Sequence, residues 1–105
     1  MKCCEENDAS GDQAAASDDR GLTETKRKFQ EFMKAATAPG ALDARTKRAV
    51  AIALSVLAKC EPCLKSHMAK AKQEGFSEEQ IDEAAWMAIA FGGSPTMMFY
   101  NKIRN

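Results

Sequence analysis

The sequence has no excess of charge of either sign. Its 15 basic residues are matched by 15 acidic ones across 105 positions. A dedicated nucleic-acid binder shows a basic excess or stripe, so that class is set aside. Nothing in this balance points to an anionic membrane surface either. Long apolar runs are missing as well. The longest, Ala49 to Ala58, is interrupted at Ser55 and spans ten residues, whereas a bilayer-spanning helix needs ~20. The opening Met1-Lys2-Cys3-Cys4-Glu5-Glu6 lacks the apolar stretch of a secretory leader. A soluble cytoplasmic protein is therefore expected, with neither nucleic acid nor membrane as a partner. No segment shows the alternation of a strand, and no internal repeat is present.

What remains is helical pattern. Residues 1–21 are rich in Asp, Ala, Ser and Glu without apolar periodicity, and are expected to form a disordered tail. Residues 22–105 are expected to form one all-α domain of about five helices. Phe29, Phe32, Met33 and Ala36 repeat at helical spacing and predict a first helix over Thr25 to Ala36, ended by Pro39-Gly40. Asp43 is a good N-cap for a second helix, Ala44 to Ala58. That helix is apolar nearly all round after Arg48 and should be buried on most sides. A third helix runs from Cys60 to Glu74, with Gly75 beyond its end. Ser77-Glu78-Glu79-Gln80 is a capping box, so a fourth helix runs from Glu78 to about Phe91. Gly92-Gly93 breaks it, and Ser94 is expected to cap a short last helix that begins at Pro95. Roughly 80 ordered residues make a marginal single core. A homo-oligomer that covers the apolar helices is the expected solution.

Four cysteines fall into two local pairs, Cys3-Cys4 and Cys60-x-x-Cys63. Neither closes a long loop, so neither adds much stability by constraining the unfolded chain. In a reducing compartment such pairs point to redox chemistry or metal binding. In Cys60-Glu61-Pro62-Cys63-Leu64-Lys65-Ser66-His67, the two cysteines are i, i+3 and Cys63 and His67 are i, i+4, which puts all three on one helix face. Proline is tolerated in a helix only in its first turn, so Pro62 places both cysteines at a helix N-terminus. Free N–H groups and the positive dipole end favour a thiolate there. An imidazole one turn along can take or give a proton. Cys60, Cys63 and His67 are therefore the candidate catalytic residues.

Those residues carry a resemblance. Leu42-Asp43-Ala44-Arg45-Thr46-Lys47, the alanine-rich helix after it, Cys60-x-x-Cys63-x-x-x-His67, Gly75-Phe76-Ser77-Glu78-Glu79-Gln80-Ile81 and the Phe91-Gly92-Gly93 ending are similar to the carboxymuconolactone decarboxylase superfamily, in its alkylhydroperoxidase-D-like branch. The resemblance implies an all-α fold, a trimer or hexamer, and peroxide reduction through a dithiol/disulfide cycle. It departs at one position. The branch usually carries a glutamate of a proton relay twelve positions before the first cysteine, and here Arg48 stands there. An arginine accepts no proton. Either the relay is absent, or another carboxylate such as Glu61 or Glu83 serves, or Arg48 stabilises a thiolate by charge.

The expected activity is a thiol-dependent oxidoreductase: a peroxide or small disulfide oxidises the pair and an external thiol reductant restores it. The order of attack stays open, because the thioredoxin pattern favours Cys60 as the more exposed thiol while the family resemblance gives Cys63 the substrate-facing role. No cofactor is expected, since Trp86, Met87, Phe91 and Tyr100 are read as packing. Two alternatives compete. One is a thiolate/histidine module for a metal or metalloid, drawing on Cys60, Cys63, His67 and a tail cysteine. The other is a redox-inert, decarboxylase-like member. Cys3 or Cys4 is a candidate for disulfide exchange with Cys60–Cys63 or for capture of a soft metal.

Overall fold

The structure, a computed structural model, describes residues 20–105. The Cys3-Cys4 pair and nearly all of the expected tail lie outside the described residues. The chain divides into two units that meet between Ala38 and Pro39.

The first unit contributes helix α1 (Arg20–Thr37), which begins at Arg20 and not at Thr25. Charge and backbone capture explain the extra turn. Arg27 pairs with Glu24 and Glu31 on either side of it, and Thr25 Oγ1 donates to the Gly21 carbonyl at 2.9 Å. Pairs three and four apart support a helix without any apolar periodicity. Phe29 and Phe32 stand on the helix with ring centroids 6.3 Å apart.

The second unit holds helices α2 (Ala44–Leu57), α3 (Glu61–Gln73), α4 (Glu78–Gly92) and α5 (Ser94–Arg104). Among the described residues there is no strand. Asp43 accepts from the Thr46 amide at 2.7 Å and starts α2 as expected. Pro62 sits in the first turn of α3. The capping box opens α4: the Gln80 amide donates to Ser77 Oγ at 3.0 Å, and the Ser77 amide donates to Gln80 Oε1 at 2.9 Å. Helix α3 ends in a Schellman motif, with the Phe76 amide on the Ala71 carbonyl at 2.9 Å and the Gly75 amide on the Lys72 carbonyl at 3.1 Å. Gly75 holds the φ of +93° that this ending requires.

The last helix differs from expectation. Gly93, not Ser94, is the N-cap of α5, and Ser94 is already helical. Gly93 serves both helices. Its amide closes α4 on the Ile89 carbonyl at 2.8 Å, and its own carbonyl accepts from the Thr96 and Met97 amides at 3.1 Å. With φ at +76° it turns the chain in one residue, which leaves no separate capping position.

Helix α2 is the centre of this unit and packs on α3, α4 and α5. Ile52 and Val56 from α2 meet Leu64 and Ala71 from α3, Ile81 and Ala85 from α4, and Tyr100 from α5. Fully burying one such Val, Leu or Ile is worth roughly 1.5–3 kcal/mol. Tyr100 ties α5 to α4 by donating to Asp82 Oδ1 at 2.6 Å, where Arg104 Nε also donates at 2.8 Å. Burial of α2 is one-sided, contrary to the expectation from its composition. Val50, Leu54 and Leu57 form a stripe that is 45%, 58% and 41% exposed. The three neighbouring helices of this unit cover one side of α2 and leave that stripe uncovered by them. No described helix is long and apolar enough to cross a membrane.

Candidate active site

The site forms where α2 ends and α3 begins. The end of α2 is a second Schellman motif: the Cys60 amide donates to the Ser55 carbonyl and the Lys59 amide to the Val56 carbonyl, both at 3.1 Å. Lys59 takes the left-handed residue of this motif at φ +55°, where glycine is the usual occupant. The next residue, Cys60, is already the N-cap of α3. Cys60 therefore takes part in the end of one helix and the start of the next, with only Ala58 and Lys59 between it and α2.

Cys60 and Cys63 are joined by a disulfide, with their α-carbons 5.3 Å apart. Cys60 is half-buried and Cys63 is exposed. This reverses the exposure that the thioredoxin pattern gave. The reason is local: Cys60 is tucked against the end of α2, while Cys63 stands a turn further on, beside exposed Pro62 and Ser66. The first turn still suits a thiolate at Cys60. An N-cap group accepts from the N–H of the second or third helical residue. The second is Pro62, which has none, and in the disulfide form Cys60 makes no side-chain cap hydrogen bond, which leaves the Cys63 amide as the one candidate donor for a free thiolate.

His67 lies one turn beyond Cys63 on α3 and is half-buried. Its Nδ1 is 2.7 Å from Nη1 of Arg48, which reaches across from α2. The same guanidinium forks onto Glu74 at the end of α3, Nε to Oε1 at 3.0 Å and Nη2 to Oε2 at 2.9 Å. Burial lowers the pKa of the His67 imidazolium from its usual value, Arg48 and Lys70 add to this by repulsion, and Glu74 opposes it. The hydrogen bonds from Arg48 keep the Glu74 carboxyl below the ordinary carboxylate range.

The sequence named three groups for this place, and their positions differ. Arg48 does face His67. Glu61 is paired with Lys65 at 2.9 Å, and Glu83 lines a groove with Trp86 and Met87. The carboxylate tied to the His67 partner is Glu74, which the sequence reading missed. A signal existed: Glu74 is seven residues past His67, two turns along the same helix face. Among the described residues, no group of three or more His, Cys, Asp and Glu side chains is placed to hold a metal ion.

This geometry can be set beside known proteins. The sequence model of the carboxymuconolactone decarboxylase family matches residues 23–102. An uncharacterized protein of the cox locus in Paracoccus denitrificans is 36% identical over 74 residues, covering 70% of this chain and 67% of its own. An uncharacterized protein of Cupriavidus necator is 38% identical over 74 residues, covering 70% of this chain and 66% of its own. The matched stretch is thus about two thirds of the length of these relatives. Among solved structures, a carboxymuconolactone decarboxylase family protein of Legionella pneumophila superposes with a TM-score of 0.72 at 30% identity, over 85% of this chain and 80% of that one. A Thermotoga maritima protein of the same family, for which a part in the antioxidative response has been suggested, gives a TM-score of 0.70 at 34% identity, over 80% of this chain and 86% of that one.

Proposed function

The chain belongs to the carboxymuconolactone decarboxylase family, and we propose that within it this protein is a thiol-dependent oxidoreductase that cycles Cys60 and Cys63 between dithiol and disulfide. The observation that carries this reading is the Cys60–Cys63 disulfide at the N-terminus of α3, one turn from His67. The exposed Cys63 meets the oxidant and Cys60 resolves. With a hydroperoxide, the Cys63 thiolate attacks the terminal oxygen and the O–O bond breaks. The sulfur becomes a sulfenic acid, and the alkoxide takes a proton and leaves as alcohol. The Cys60 thiolate then attacks that sulfur, forms the disulfide and releases hydroxide, which leaves as water. With a small disulfide, two successive exchanges release two thiols and give the same product. An external dithiol returns two electrons to the pair. His67 is the polar group one turn beyond Cys63. The antioxidative role suggested for the Thermotoga maritima relative agrees with this reading.

The same reading includes a homo-oligomer. The exposed Val50, Leu54 and Leu57 stripe and the exposed Trp86, Met87 and Phe91 are more apolar surface than scattered single residues, and a second copy of the chain suits them.

The test is a redox titration read by thiol alkylation and intact mass, with an alkyl hydroperoxide and with a small disulfide. A mass change equal to one Cys60–Cys63 disulfide on either challenge is expected. A pair that stays reduced under both overturns the proposal.

A further inference from the structure

The one histidine of the chain has a partner that constrains its chemistry. Arginine carries only donors and stays protonated. At 2.7 Å the Arg48 Nη1–H therefore donates, and His67 Nδ1 accepts. A ring that accepts at Nδ1 carries its proton at Nε2. Protonating Nδ1 would place two N–H groups against each other at hydrogen-bond distance, beside a fixed positive charge. Arg48 is not free to turn away, because Nε and Nη2 are both engaged by Glu74. The charged groups acting on the ring are Arg48 from α2 and Lys70 and Glu74 from α3 itself. Two of the three disfavour a second proton.

We propose that Arg48, braced by Glu74, locks His67 as a neutral imidazole with its proton on Nε2, so that His67 enters the thiol chemistry as a hydrogen-bond donor and not as a base. Arg48 and Glu74 are positioning residues here. This deepens the oxidoreductase reading and rests on it for its chemical meaning. A donor that stays neutral near pH 7 stabilises a sulfur or oxygen anion without being consumed. The proton that ends on a departing alkoxide then comes from water, and the thiolate that attacks forms by its own ionisation. A family-type relay through a carboxylate at position 48 is replaced by a fixed dipole, and the site loses a titrating group from its rate law.

The test uses the full chain, labelled with nitrogen-15, in its disulfide form. Long-range nitrogen–proton correlation of the imidazole needs no assignment, because there is a single histidine. The expected result is the Nε2–H neutral pattern, unchanged from about pH 8 to about pH 5.5, where an ordinary histidine is mostly protonated. Arg48→Gln and Arg48→Met are both expected to bring a titration into this range, moved toward but not fully to the ordinary histidine value of about 6.5, because burial still acts on the ring. The glutamine variant guards against misfolding of the more apolar one. In reduced protein, the pH profile of alkylation is expected to show thiol ionisation alone, and Arg48→Gln is expected to add a histidine step. A wild-type ring that protonates near pH 6.5, or that carries its neutral proton on Nδ1, overturns the proposal. So does an Arg48→Gln ring that titrates as the wild type does. The readout needs no turnover: a locked ring beside an inert cysteine pair sinks the oxidoreductase reading alone, and a titrating ring beside an active pair sinks the lock alone.

Discussion

The Thr96 hydroxyl occupies the space that a side chain on Gly92 would need. A β-carbon built on Gly92 falls 2.0 Å from Thr96 Oγ1 and 3.1 Å from Leu57 Cδ1. Thr96 is fully buried, and its Oγ1 has no hydrogen-bond partner among the described residues. The close approach of α4 and α5 thus rests on a missing side chain and a hydroxyl without a partner.

Two substitutions at this contact should act in opposite directions. Gly92→Ala forces an atom into filled space and is expected to destabilise by roughly 1–3 kcal/mol, the usual range for overpacking. Thr96→Val keeps the shape and removes an unsatisfied buried polar group. It is expected to stabilise by about 1 kcal/mol. Urea midpoints at constant slope are the measurement. A Thr96→Val variant less stable than its parent would show that the hydroxyl has a partner in solution.

Stability should fall as pH drops from neutrality. The His67 value is depressed in the folded state. Below the unfolded value of about 6.5, the unfolded chain therefore binds a proton that the folded chain refuses, and the balance shifts toward unfolding. The loss begins just above pH 6.5 and grows until the folded ring itself protonates. Glu74 and Asp82, both held below the ordinary carboxylate value by hydrogen bonds from arginine, add a further loss below about pH 4.5. Denaturant titrations at pH 7.5, 5.5 and 4 check the slope. The Arg48→Gln variant should show a shallower step between the first two.

The exposed stripe of α2 makes a prediction about assembly. Leu54 is 58% exposed within one copy. Where copies pack on it, Leu54→Lys buries a charge at the contact and should lower the sedimenting mass to that of one chain, with helical circular dichroism retained. An unchanged mass would place the contact elsewhere or deny it.

The two cysteines should separate by reagent. With a bulky maleimide and reduced protein, exposed Cys63 is expected to label first. With a small alkylating agent near pH 6, labelling should shift toward Cys60, whose place at the helix N-cap favours the thiolate. Peptide mass spectrometry over a short time course distinguishes the two, and identical preference with both reagents would remove the argument from capping.

Local chemistry was legible in the sequence wherever one residue type has one job. Asp43, the Ser77–Gln80 box, Pro62 and Gly75 each mark a helix boundary that the backbone obeys. The all-helical class and the family resemblance followed from the same markers. The start of α1 was not legible from apolar spacing, since Arg27, Glu24 and Glu31 support it by charge. Gly93 was passed over for Ser94 because a cap supplied by backbone conformation leaves no side-chain signature. Glu74 was missed for a different reason. Glu61 and Glu83 were the expected stand-ins for the relay glutamate missing at position 48, whereas the fold places a carboxylate that partners Arg48 from 26 residues away.

The sharing of Cys60 by two helices makes the site sensitive to counting. An α-helix turns by about 100° for each residue added. One residue inserted in or deleted from α2 would swing the Ser55 carbonyl, and with it the Cys60 amide that it holds, around the helix barrel. No slack in the Ala58-Lys59 connection is available to absorb that rotation. The same shift would carry Arg48 off the ring of His67, because both the sulfur pair and the guanidinium take their bearings from one helix. Length variation should therefore be tolerated beyond the end of α3 or before Asp43, and forbidden between Arg48 and Cys60, where the spacing works as a gauge.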